Sequence, residues 1–153
     1  RYLQKPRANN FGNYLFQDVR HDENGLKRPE FVLNQDQYAG AKIVLAKDNF
    51  GCGSSREQAP MALKAVGVSC VISKFFARIF FRNAINIGLP VLEIPDHDIQ
   101  EGDVLEIYFE QGKVFNKTKS KTYNATQLSG VMMNIVKEGG LVNYLKKYKT
   151  YQI

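Results

Sequence analysis

The sequence predicts an α/β fold, and three observations carry that prediction. Short apolar runs at Ile43-Val44-Leu45-Ala46, Ser69-Cys70-Val71-Ile72-Ser73 and Leu89–Ile94 alternate with helix-like stretches. The links between them are short, which implies parallel strands joined by right-handed crossovers, a βαβαβ core. Beyond Pro95 the texture changes to strict alternation, with Val104, Glu106 and Tyr108 set against Leu105, Ile107 and Phe109. That period of two predicts an antiparallel meander, expected to close toward a barrel, with helices at the C-terminal end. The 153 residues read as one domain, 1–153, long enough to bury a sizeable core.

Taken in order, residues 1–35 are the least regular. Pro6 stops any early helix, and Phe11–Phe16 is aromatic enough to pack as a short helix or cover. His21–Pro29 is a turn by composition, with His21 expected at the surface. Ala41–Ala46 is the first strand, and Met61–Val66 is a short helix closed by Gly67. After the strand Ser69–Ser73, a helix over Phe76–Ile87 is expected to carry Phe76, Ile79, Phe80, Asn83 and Ile87 on one face, with Gly88 as its stop. Asp103–Phe109, Lys113–Thr118 and Lys121–Ala125 supply the meander, with Gln111-Gly112 at a turn. Val131–Glu138 and Leu141–Tyr148 are two helices split by Gly139-Gly140. His97, in the polar link Asp96-His97-Asp98, is expected to be exposed.

The stretch Lys47–Gln58 joins the first strand to the first helix. A glycine-bearing turn there aims backbone N–H groups, and the positive end of a helix dipole, at one spot. Ser54, Ser55 and Arg56 place two hydroxyls and a guanidinium at that spot. The combination is an anion site containing a potential base. Ser54 and Ser55 also precede Glu57 and Gln58 at capping-box spacing, so capping alone accounts for a serine and a glutamate. It does not account for Gly51-x-Gly53 and an arginine on the same turn. Familiar alternatives fail on residues. Arg56 replaces the third glycine of a dinucleotide fingerprint, and no acidic residue stands about 20 positions on. A nucleoside-triphosphate loop would end in Gly-Lys-Ser/Thr, and a hydrolase elbow would read G-x-S-x-G.

Composition narrows the class. No apolar run approaches the roughly 18 residues of a membrane span, and nothing reads as a signal peptide. Cys52 and Cys70 are the only cysteines, too few for a disulfide framework or for a four-iron cluster. Two reduced thiols in a cytoplasmic protein are expected. The net charge of +6, from 21 basic and 15 acidic residues, admits a basic nucleic-acid-binding domain or an anionic small-molecule substrate. The lysines of the last third lack any zinc spacing or aromatic RNA-binding signature, so a solvated face is expected there.

With Asn49-Phe50-Gly51-Cys52-Gly53-Ser54-Ser55-Arg56-Glu57-Gln58-Ala59-Pro60 and Phe76-Ala77-Arg78-Ile79-Phe80-Phe81-Arg82-Asn83 in view, the chain resembles the aconitase-type swivelling β/β/α domain. More closely it is similar to the small-subunit family of 3-isopropylmalate dehydratases, over essentially its whole length. The resemblance implies a hydro-lyase subunit of leucine biosynthesis. It would interconvert 2- and 3-isopropylmalate by removing water and adding it back, and only with its large subunit. It implies a [4Fe–4S] cluster carried by the large subunit, with no cofactor or metal on this chain, no nucleic acid and no membrane. Carried over by motif, Ser54 is the proton-abstracting base, and Gly53, Ser55 and Arg56 bind substrate. Tyr2, Leu3, Gln4 and Lys5 match the family's specificity loop. Gln4, where relatives handling an extra carboxylate place arginine, favours an uncharged substituent on a small dicarboxylate. Related hydro-lyase subunits acting on citraconate/methylmalate or homoaconitate are the alternatives. A family segment preceding the Tyr-Leu loop, including a first strand, is not in this sequence, so an open barrel edge is expected.

Overall fold

A computed structural model of the chain describes residues 11–53 and 56–151. Phe11–Tyr14 forms one turn of 3-10 helix, followed by the short helix α1, Gln17–Arg20. Further 3-10 turns at Val32–Asn34 and Asp36–Tyr38 lead into the strand β1, Ile43–Leu45. Then come α2 (Gln58–Ala65), β2 (Cys70–Ser73), α3 (Arg78–Asn86) and β3 (Val91–Glu93). The meander consists of β4 (Leu105–Tyr108), β5 (Lys113–Asn116) and β6 (Lys121–Asn124). Helices α4 (Gly130–Lys137) and α5 (Leu141–Tyr148) complete the chain.

β1, β2 and β3 pair in parallel in that order, with Val44 opposite Val71 and Ile72 opposite Leu92. β4, β5 and β6 pair antiparallel, with Ile107 opposite Val114 and Val114 opposite Tyr123. Both expected sheets are present. Among the described residues no strand pairing joins them, so the expected closure toward a barrel is not formed there. They meet through a shared apolar layer instead.

The alternation of side chains along β2 and β3 explains that layering. Val71 and Val91 face Leu63, Phe80, Ala84 and Ile85 of the helices. Cys70, Ile72, Leu92 and Ile94 face Val114 and Tyr123 of the meander. The parallel sheet is therefore sandwiched, and β2 is buried along its whole length. That is why the strand reads as a continuous apolar run. Each such side chain fully buried contributes about 1.5–3 kcal/mol.

One expectation fails in detail. Ile79 was expected to share a face with Phe76 and Phe80, yet it is 50% exposed while they are buried. The helix begins at Arg78, so Phe76 precedes it and a face counted from Phe76 is out of phase. The buried positions are Phe80, Ala84 and Ile85. Gly88 ends this helix as expected: at φ +73° it lies against the Gly139 backbone, with no room for a Cβ.

Candidate active site

The turn that follows β1 is built on the end of the parallel sheet. The ladder continues one residue past β1, with Ala46 N donating to Ile72 O at 2.8 Å. Ser73, wholly buried, donates its Oγ proton to the Lys47 carbonyl and to the Phe75 carbonyl, 2.8 Å away. A hydroxyl has a single proton, so the two acceptors share it. Phe50 then bridges in parallel to Phe76: its N–H donates to Phe75 O at 3.1 Å, and Ala77 N donates back to Phe50 O at 3.0 Å. The Glu93 carboxylate accepts from Phe76 N at 3.0 Å.

Three aromatic rings lock this base. Phe50 meets Phe76 and Phe80 edge-on at 6.2 and 5.1 Å, and Phe76 and Phe80 stack at 5.9 Å. Such pairs add about 0.5–1.5 kcal/mol each beyond their buried area. Gly51 can pass over Phe80 only because it has no side chain. The chain therefore leaves the sheet on a rigid aromatic floor.

Asn49, Gly51 and Gly53 all have positive φ, at +56°, +85° and +86°. The turn climbs in left-handed steps that glycine and asparagine tolerate best. Gly53 has open space where a Cβ would point, so its role is conformational and it leaves room for an approaching molecule. Cys52 is exposed. Arg56 is exposed one residue before Glu57, the N-cap of α2. Pro60 is the third residue of that helix, where its missing N–H removes no helical bond.

Of the sequence-predicted site residues, Gly53 is exposed on this turn and Arg56 is exposed just ahead of α2. Ser54, Ser55, Tyr2, Leu3, Gln4 and Lys5 lie outside the described residues. Alongside the turn runs an open cavity of about 610 Å³, walled by Phe11, Leu15, Phe50, Ala59, Leu63 and Phe80, with Lys47–Cys52 along one side.

Two features escaped the sequence reading. Ser73 reads as the last residue of a buried strand, and nothing in its neighbours announces a hydroxyl that ties two loops. His97 was expected to be exposed, but it is half-buried, and both ring nitrogens are closed off from water and, among the described residues, without a hydrogen-bond partner. Burial lowers its pKa, as does the Lys74 cation, while Asp98 and Asp48 oppose them. Cys70 lies in the inter-sheet core, where burial pushes its thiol up to about 12. Among the described residues no group of three or more His, Cys, Asp or Glu is arranged to hold a metal ion, and no helix is long and apolar enough to cross a membrane.

The aconitase C-terminal domain family matches residues 4–97, a span holding the whole glycine turn and its aromatic floor. The chain belongs to that family. Within it, a protein of Methanosarcina mazei named 3-isopropylmalate dehydratase small subunit is 51% identical over 96% of this chain and 85% of its own length. The same-named protein of Methanosarcina acetivorans is 49% identical over the same shares. A crystal structure of 3-isopropylmalate dehydratase from Methanocaldococcus jannaschii superposes with a TM-score of 0.66 at 47% identity, covering 70% of this chain and 64% of that one. The parallel strands β1–β3 and the helices α2 and α3 lie within the span that this family matches.

Proposed function

We propose that this chain is the small subunit of a 3-isopropylmalate dehydratase, a hydro-lyase subunit of leucine biosynthesis working with a large subunit in the cytoplasm. The observation that carries the reading is the identity of 51% over nearly the whole chain with a protein of that name, together with a rigidly floored turn bearing the Gly53–Arg56 segment.

Neither cysteine of this chain suits a cluster: Cys70 is sealed in the core and its thiol resists ionisation, while Cys52 stands alone on the turn. In this reading the [4Fe–4S] cluster belongs to the large subunit, where it supplies Lewis-acid assistance to the substrate hydroxyl. The residues of this chain bind the substrate and move its proton. Arg56 grips a substrate carboxylate through its planar fork of donors. Ser54 Oγ accepts the carbon-bound proton, a double bond forms, and the hydroxyl departs from the neighbouring carbon to give 2-isopropylmaleate. Returning the proton and the hydroxyl with positions exchanged gives the isomer. A serine oxygen is a base only where main-chain N–H groups stabilise its charge in a water-excluded site. The amides flanking residue 54 fill that role, and the partner's surface closes the site. Tyr2–Lys5 meet the alkyl substituent, with Gln4 offering no charge for a further carboxylate.

The experiment is reconstitution. The chain is mixed with the large subunit from the same organism, and formation of the unsaturated dicarboxylate is followed by ultraviolet absorbance for isopropylmalate, methylmalate and homocitrate. Preference for isopropylmalate is expected. Preference for either of the others reassigns the substrate, and turnover of none removes the reading.

A further inference from the structure

The segment that floors the turn also leaves two large apolar side chains in water. Phe75 is 51% exposed and Ile79 50% exposed, although Phe76 and Phe80 beside them are almost completely buried. The same segment carries Lys74, Arg78 and Arg82, all exposed. No carboxylate occurs in residues 74–82, and among the described residues none of the three cations is in a salt bridge. The segment is bonded directly to the turn through Phe50, which pairs with Phe75 O and Ala77 N. Single exposed apolar residues are ordinary. A pair set among three cations at the edge of a proposed active site has the pattern of an interface, apolar at its centre and charged at its rim.

We propose that Phe75 and Ile79 form the apolar centre of the surface that docks the large subunit, with Lys74, Arg78 and Arg82 as a basic rim facing carboxylates on it. Naming the large subunit as occupant rests on the functional reading above. The position of the surface rests on exposure, charge and the bonds to the turn. A second copy of this chain is a poor occupant, because the three cations would meet three more and +6 would meet +6. An acidic partner covering Phe75 and Ile79 would adjoin the turn at Phe50, next to the proposed site, where water must be excluded for a serine to act as a base.

The test measures association rather than turnover, by calorimetric titration of the purified large subunit. Phe75→Ser and Ile79→Asp should each weaken binding about tenfold and the double variant about a hundredfold. Neither disturbs the fold: the bonds of residue 75 are made by its backbone, and an aspartate suits the first turn of α3. Arg78→Glu with Arg82→Glu should slow association and flatten its salt dependence. Tyr108→Asp, on the meander, is the control and should bind like the unaltered chain. If the unaltered chain binds and the double variant binds within about threefold of it, the surface proposal is overturned. If the chain instead self-associates through these residues, the occupant is a second copy and the proposal fails. Failure of the unaltered chain to bind removes the functional reading and the named occupant with it.

Discussion

Gly51 lies directly against Phe80, with a Cβ on residue 51 overlapping the Cβ and ring of the phenylalanine. The turn can approach its aromatic floor this closely only because residue 51 is glycine in a left-handed conformation. Gly53, two residues on, has the same sign of φ and, among the described residues, nothing within 4 Å of its missing side chain. The two glycines of one motif thus serve different ends, packing for the first and clearance for the second.

Gly51→Ala therefore combines left-handed strain, about 1–2 kcal/mol, with overpacking, about 1–3 kcal/mol. Gly53→Ala meets only the strain. Urea unfolding should show the larger loss for Gly51→Ala, while Gly53→Ala folds and loses turnover. Equal stability losses would contradict the division of roles.

Ser73→Ala leaves the Lys47 carbonyl without its buried donor. The expected loss is about 1–3 kcal/mol, and hydrogen exchange at Phe50 and Ala77 should accelerate because the bond from Ser73 pins both loops. Unchanged exchange there would show that the aromatic rings hold the turn without it.

The half-buried ring of His97, its nitrogens without a hydrogen-bond partner among the described residues, makes stability depend on pH. Its folded-state pKa lies below the unfolded value, so the unfolded chain binds the proton more readily. The neutral ring's contribution is complete above the unfolded pKa near 6.5 and falls away as pH drops through and below it. His97→Gln should flatten the melting temperature between about pH 7 and pH 5. Lys74, which faces the ring, is the second lever: Lys74→Met should lessen the decline. A wild-type profile flat over that range would refute the assignment.

Gln4→Arg supplies a cation where the proposed specificity loop has an amide. Reconstituted enzyme should lose isopropylmalate turnover relative to homocitrate, and an unchanged ratio would remove the loop from substrate selection.

Much of this architecture is legible in the residues. Val71 and Ile72 lie in a strand covered on both faces, which produces the unbroken apolar run. The Gly139-Gly140 break between α4 and α5 reads directly as two helix ends. Periodicity misled where an element boundary was misplaced, as at Ile79. Ser73 and His97 were invisible for a different reason: their roles come from partners, or missing partners, brought by loops distant in sequence. On the turn, the left-handed steps at Gly51 and Gly53 are legible because glycine's backbone freedom is a local property. Which oxygen moves a proton is a relation to a substrate, and the motif alone carries that assignment.

The most direct measurement places the reconstituted enzyme in deuterium oxide and follows exchange of the carbon-bound proton of isopropylmalate by NMR, with and without Ser54→Ala. The account predicts that the variant folds, binds the large subunit and slows exchange by about a thousandfold. Exchange at the wild-type rate in that variant would mean that another group takes the proton.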